Sequence, residues 1–211
     1  MTFEHLRENY NFKPLSVKKM HQNPLEQLKE WLGQAIHLKE TDPNAMALAT
    51  TGENNQPSVR HVLLKKITAD GIVFYTNYSS KKAEEIEKNS AVAATFYWKS
   101  LGRQVTIEGK AMRISRNESE DYFSKRPRGS QIAAWASSQG NPLNSREELE
   151  GQFAHFETLF KDKEVPCPKH WGGYLIQPHY FDFWQGQPNR MHDRFLYRKD
   201  GDSWLVTRIS P

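Results

Sequence analysis

The stretch 171–198, WGGYLIQPHYFDFWQGQPNRMHDRFLYR, restricts the fold more than any other part of the chain. An aromatic run, Tyr180-Phe181-Asp182-Phe183-Trp184, leads into turn-forming Gln185-Gly186-Gln187-Pro188 and then into Asn189-Arg190-Met191-His192-Asp193-Arg194. If the last segment is a strand, its side chains alternate with a period of two. Arg190, His192 and Arg194 then share one face, and Met191, Asp193 and Phe195 the other. Two guanidiniums and an imidazole on one face repel one another unless an anion or carboxylate lies among them. The choice is between a solvated edge strand and a site for a flat, charged ligand. The rings before the turn favour the site.

Composition narrows the setting. The 211 residues carry 29 Lys and Arg against 25 Asp and Glu, a mild excess that favours anionic ligands without pointing to nucleic acid. One cysteine, Cys167, excludes an internal disulfide and a cysteine-based zinc site. Six histidines (5, 21, 37, 155, 170 and 179) show no zinc-type spacing, so no metal is expected. Neither a membrane-spanning run nor the apolar core of an export signal is found, which predicts a cytoplasmic protein with no membrane partner.

Residues 1–22 lack periodicity and read as an arm. Asn23-Pro24 is a strong helix start, with Asn as cap and Pro at the first helical position, and it opens a single domain over 23–211. Leu25, Leu28, Leu32, Ala35 and Ile36 follow at helical spacing. Strands are expected over 45–51, 58–67, 72–76, 91–98 and 104–114, with four more in 172–209. Helices are expected from Lys81, from Ser115 or Asn117, from Ser130 and over about 145–161. The third of these uses Ser130 as its cap. Short strands, hairpin turns and scattered helices predict an α+β, barrel-like fold.

Two basic helix starts stand out. Lys81 and Lys82 lie in a first turn, where the helix dipole disfavours cations unless a phosphate sits there too. Arg60, on a strand upstream, reaches toward the same place, while Glu84 and Glu85 offer a plainer neutralisation. Arg126 and Arg128 flank a second start at Ser130, with Tyr122 one turn back and Lys65 ending an apolar strand. Gln104 and Gln139 are candidate partners for a heteroaromatic ring. Two phosphate cradles and an aromatic platform suggest two phosphorylated aromatic ligands.

These pieces resemble the pyridoxine/pyridoxamine phosphate oxidase family. The matching segments are RHVLLK (60–65), FYTNYSSKKA (74–83), RQVTIEGKA (103–111), DYFSKRPRGSQIAAW (121–135) and WGGYLIQPHYFDFWQGQPNRMHDRFLY (171–197). Residues 190–194 resemble the family's R-L-H-D-R signature, with Met191 for Leu. The resemblance implies an FMN-binding split β-barrel with surrounding helices, paired as a homodimer with FMN at the interface. It implies that Arg60, Lys81 and Lys82 hold the FMN phosphate. His61, Val62, Leu63, Leu64, Lys65, Tyr75, Thr76, Gln104, Gln139, Gly140, Trp184 and Arg194 would surround the flavin. It assigns the substrate phosphate to Lys65, Tyr122, Arg126 and Ser130, and the substrate ring to Arg190, Met191 and His192, with Arg190 and His192 catalytic. Arg7 and Tyr10 match the family's closing arm, which makes residues 1–22 a lid. The implied reaction is oxidation of pyridoxamine or pyridoxine 5'-phosphate by O₂, with hydride passing from C4′ to flavin N5 and H₂O₂ released. Two rivals remain at this point. One is a flavin barrel that reduces another flavin or a quinone, against which the Arg126–Ser130 cradle argues. The other is a binder of single-stranded nucleic acid, against which the clustering of cations at helix starts argues.

Overall fold

Asn23 caps as expected, its Oδ1 accepting the Leu25 N–H at 2.9 Å, and α1 runs Pro24–His37. Its inner face buries Leu25, Leu28, Trp31 and Ala35, whereas Ile36 points to solvent. The computed structural model describes residues 1–3, 5 and 9–211. The strands are β1 Ala45–Thr51, β2 Pro57–Leu63, β3 Lys66–Ile67, β4 Ile72–Asn77, β5 Ala91–Trp98, β6 Arg103–Arg113, β7 Trp171–Gln185, β8 Asp193–Asp200 and β9 Ser203–Arg208. Between them lie α2 Lys81–Lys88, α3 Arg116–Ser124, α4 Arg128–Ala136 and α5 Arg146–Leu159. Among the described residues no helix is long and apolar enough to cross a membrane.

Every strand pair is antiparallel, in the order β2-β1-β5-β6-β7-β4-β3, with β8 on β7 and β9 on β8. The predicted α+β barrel-like class therefore holds. Four strands were expected after residue 171, but there are three, because β7 continues through Pro178 for fifteen residues. Its first part pairs with β4 and its last with β8. Between the two, at Pro178, β6 shifts register by a bulge at Glu108/Gly109. Proline lacks the N–H that a regular ladder uses, and the bulge absorbs the irregularity.

Gly109 makes that approach possible. A Cβ there would lie 2.4 Å from the Gln177 carbonyl oxygen, a backbone atom that cannot swing aside. Gly109→Ala is expected to lower stability by about 2–3 kcal/mol, read as a lower urea midpoint. An unchanged midpoint would show that the β6–β7 seam is slack.

The β7 rings divide by face. Phe181 and Phe183 are fully buried, and Phe183 meets Trp31 of α1 edge-on with centroids 5.1 Å apart. Tyr180 and Trp184 stay partly exposed on the opposite side. The core thus fixes which side of the strand is left for a ligand.

The expected strand over 58–67 breaks at Leu64-Lys65. Leu64 donates its N–H to Asn44 O, and Lys65 to Val73 O, both at 2.8 Å. Leu64 turns into the core, while Lys65 turns toward solvent. Around α3 the capping box is complete: Ser115 caps through the Glu118 N–H, and the Glu118 carboxylate returns to Ser115. The next helix begins at Arg128, two residues before the expected start, with Pro127 as its cap residue. Ser130 therefore lies in the first turn and does not cap.

Candidate functional site

A cleft of about 1080 Å³ opens between β2, β4, the start of α2 and the α3–α4 junction. Arg60, His61, Val62, Leu63 and Lys65 line it from the β2 side, with Tyr75 and Thr76 from β4. Lys81 and Lys82 come from α2, and Gln139 and Gly140 from the loop after α4. Tyr122, Arg126 and Ser130 complete the other end. Two groups of predicted residues thus share one cavity. Leu64 is the exception, since its side chain packs in the core.

At the α2 end, Lys81 and Lys82 differ sharply. Lys81 is exposed and pairs with Glu85 at 3.7 Å. Lys82 is only 8% exposed, and its Nζ donates to Ser80 Oγ at 3.1 Å, Thr76 Oγ1 at 3.2 Å and Gln139 Oε1 at 3.4 Å. Among the described residues no carboxylate pairs with it. Burial, then the nearby Arg60 guanidinium, pull its pKa below the ordinary lysine value. A buried ammonium without a counter-ion is costly unless an anion completes the site. Arg60 is held differently. Its guanidinium donates to Leu48 O, Thr50 Oγ1 and Ser58 Oγ, with Glu85 behind it at 3.3 Å. Burial disfavours the Glu85 carboxylate, but hydrogen bonds from Ser58 and Thr50 and the charges of Lys81 and Arg60 outweigh it, and its pKa falls.

Thr50 and Ser58 were not singled out from the sequence, and Glu85 only as a neutraliser of the lysines, a part it takes here toward Lys81. The spacing of Lys81 and Glu85 by one helical turn was the available signal. Thr50 and Ser58 reach the cluster only through the β1–β2 pairing, where they face each other.

At the other end, Tyr75 and Tyr122 stack with centroids 3.9 Å apart. Burial, followed by the charge of Tyr122, pushes the Tyr75 hydroxyl up to about 12, so it stays a neutral donor at physiological pH. Arg126 Nη1 is buried without a hydrogen-bond partner. Such an atom is rare in a folded protein and marks a place for an acceptor.

The remaining predicted residues form a second group outside this cavity. Gln104, Trp184 and Arg194 stand opposite one another across β6, β7 and β8, in one row on one face. Arg194 forms an ion pair with Asp182. The expectation that Arg190, His192 and Arg194 share a strand face is therefore corrected. Residues Pro188–Arg190 form a 3₁₀ turn, with Asn189 and Arg190 at φ 56° and 61°, and the strand starts only at Asp193. Proline at 188 and left-handed backbone after it are incompatible with a ladder. Arg190 stands exposed with no ion pair or hydrogen bond among the described residues, while Met191 is also exposed.

His192 packs on Trp184, centroids 4.8 Å apart, and its Nδ1 accepts the Gln187 N–H at 3.0 Å. With Nδ1 accepting, the neutral ring carries its hydrogen on Nε2 and presents a donor outward. Tyr10 lies edge-on to both Trp184 and His192, at 5.6 and 5.8 Å. It rests on Gly186, where a Cβ would come within 2.4 Å of its ring. Lys13 and Leu15 tie the following segment to Gln185, Asp193 and Arg208. Arg7, the other expected arm residue, lies outside the described residues.

A curled antiparallel sheet with helices packed about a cationic cleft is a split β-barrel, and solved structures share it. A PhzG structure from Burkholderia lata, in complex with tetrahydrophenazine-1-carboxylic acid, superposes with a TM-score of 0.87 at 29% identity, covering 92% of this chain and 95% of that one. A pyridoxamine 5'-phosphate oxidase-related, FMN binding protein from Nostoc punctiforme superposes at 0.73, with 17% identity, 91% of this chain and all of the other. Residues 32–160 match the family model described as pyridoxamine 5'-phosphate oxidase. Residues 171–211 match the pyridoxine 5'-phosphate oxidase C-terminal dimerisation region. A pyridoxine/pyridoxamine 5'-phosphate oxidase from Rippkaea orientalis is 48% identical over 98% of both chains, and one from Aliarcobacter butzleri is 46% identical over the full length of each. The chain belongs to the pyridoxamine 5'-phosphate oxidase family and is an oxidoreductase.

Proposed function

We propose that this chain oxidises pyridoxamine and pyridoxine 5'-phosphates to pyridoxal 5'-phosphate, with FMN as cofactor and O₂ as acceptor, releasing H₂O₂ and, from the amine, ammonia. The observation that carries this reading is a single cavity with a cation at each end, the Lys82 ammonium and the Arg126 guanidinium, neither of them paired by a carboxylate among the described residues. Two phosphorylated ring systems that share the cavity, one phosphate at each end, satisfy both.

Lys82, Arg60 and Lys81 hold the FMN phosphate, and residues 61–65, Tyr75, Thr76, Gln139 and Gly140 enclose the flavin. Lys65, Tyr122, Arg126 and Ser130 hold the substrate phosphate. Bound FMN supplies the hydride acceptor for the substrate C4′ carbon and the route for electrons to O₂. The protein supplies alignment: Arg190 and Met191 lie against the pyridine ring, and His192 offers its Nε2–H there.

The second group, including Gln104, Trp184 and Arg194, lies within or beside the region that matches the family's dimerisation region. We therefore assign it to the cleft of a second copy, giving a homodimer with FMN at the interface. Tyr10 closes over this half. The free thiol of Cys167 suits a reducing cytoplasm.

The test is the visible spectrum of the purified protein together with H₂O₂ release on adding pyridoxine 5'-phosphate. A colourless protein that takes up no added FMN would sink the reading. Arg126→Ala is expected to raise KM about tenfold to a hundredfold, through loss of a charge-assisted hydrogen bond. An unchanged KM would remove Arg126 from the phosphate site.

A further inference from the structure

Trp171, the first residue of β7, lines the cleft behind Arg126. The Arg126 Cζ lies 4.6 Å from the centroid of its indole and 5.5 Å from that of Phe123. No carboxylate among the described residues pairs with Arg126, although Asp121 lies on α3 just before it; Asp121 is taken by Lys125 at 2.7 Å. The indole itself is tightly held. It is 6% exposed, stacks on Tyr75 at 5.3 Å and 10°, and meets Phe123 edge-on at 5.0 Å. Its backbone is fixed as well, its carbonyl accepting from Arg116 at 3.1 Å.

We infer that Trp171 is the positioning residue for Arg126, holding the guanidinium by its ring face so that the N–H groups remain available to the substrate phosphate. The physical reason lies in what each kind of partner does to the fork. A carboxylate would occupy the N–H groups and compete with the phosphate for the same charge. An aromatic face attracts the cation through its quadrupole and leaves the hydrogen-bonding edge unused. The unpartnered Nη1 is the mark of that arrangement. Phe123 adds a second ring, so the guanidinium is confined while Nη1 keeps no hydrogen-bond partner among the described residues.

This inference rests on the assignment of Arg126 to the substrate phosphate made above, and the experiment separates the two. FMN-loaded wild type, Trp171→Phe, Trp171→Leu and Arg126→Ala are titrated with 4-deoxypyridoxine 5'-phosphate and with 4-deoxypyridoxine. Neither probe carries the oxidisable group, so binding is read without turnover. Trp171→Leu is expected to weaken the phosphorylated probe about tenfold and to leave the other within about twofold. Trp171→Phe, with a weaker ring face, falls between it and wild type. With pyridoxine 5'-phosphate as substrate, the loss appears in KM and not in kcat.

If Arg126→Ala leaves the phosphorylated probe unchanged, the phosphate assignment itself falls. If Arg126→Ala weakens that probe while Trp171→Leu weakens both equally or neither, the positioning role alone is overturned. Should Trp171→Leu fail to fold, Trp171→Phe decides. A loss of about threefold confined to the phosphorylated probe supports the role, and no selective loss refutes it.

Discussion

Lys82→Met is expected to abolish FMN retention while making the FMN-free protein more stable. The two effects share one cause. In the free protein the Lys82 ammonium is buried among three neutral oxygens with no carboxylate partner among the described residues. Replacing it with an apolar chain of similar length relieves about 1–2 kcal/mol of desolvation cost. With FMN present the same ammonium faces a phosphate, and its loss is expected to raise the dissociation constant on the order of a hundredfold. Fluorescence titration of FMN measures the second effect and urea midpoints of the FMN-free proteins the first. An unchanged FMN affinity would show that the buried lysine does not face the phosphate.

A pH dependence follows with a definite sign. Burial and Arg60 hold the Lys82 pKa below the ordinary 10.5, so the unfolded chain binds this proton more tightly than the native one. The cost is full below the native pKa and disappears as pH rises toward 10.5. The stability advantage of Lys82→Met should therefore shrink on raising the pH through that window. A constant difference would mean that Lys82 carries no such penalty.

Much of this site was legible from local signals. The basic helix start at Lys81-Lys82 and the capping box at Ser115 and Glu118 are short-range patterns, and each lies where those patterns place it. Which of two adjacent lysines is buried is another matter. Helical spacing puts Lys81 and Lys82 about 100° apart on the helix, but only packing against β4 and the loop after α4 decides which turns inward. The seating of Arg126 on an indole is equally non-local, since Trp171 arrives from a strand forty-five residues away. The strand expected through Arg190 failed because the turn expected to close at Pro188 runs on through a left-handed pair, Asn189 and Arg190, so that the strand starts only at Asp193. The division of the site between two surfaces of one chain has no short-range signature at all.

That division supports the largest expected effect on turnover. Arg190→Met should lower kcat/KM by roughly 10²–10³-fold, the range seen when one charge-stabilising donor is removed from a reaction centre, while FMN content stays near wild type. Arg190 is suited to this role because its guanidinium is exposed and unpaired among the described residues, whereas Arg194 is engaged by Asp182. Equal loss of flavin and activity would move Arg190 to the cofactor side. Mixing then tests whether the two halves belong to different subunits. Lys82→Met disables the cleft half of its own chain, and Arg190→Met disables the other half of its own. In a heterodimer of the two, one composite site carries both defects and the other carries neither. Random reassociation of equal amounts from denaturant should restore about one quarter of the wild-type sites, because about half the dimers are mixed and each has one intact site. If both residues served the same site from one chain, no pairing would produce an intact site, and the mixture would show only the sum of its inactive parents.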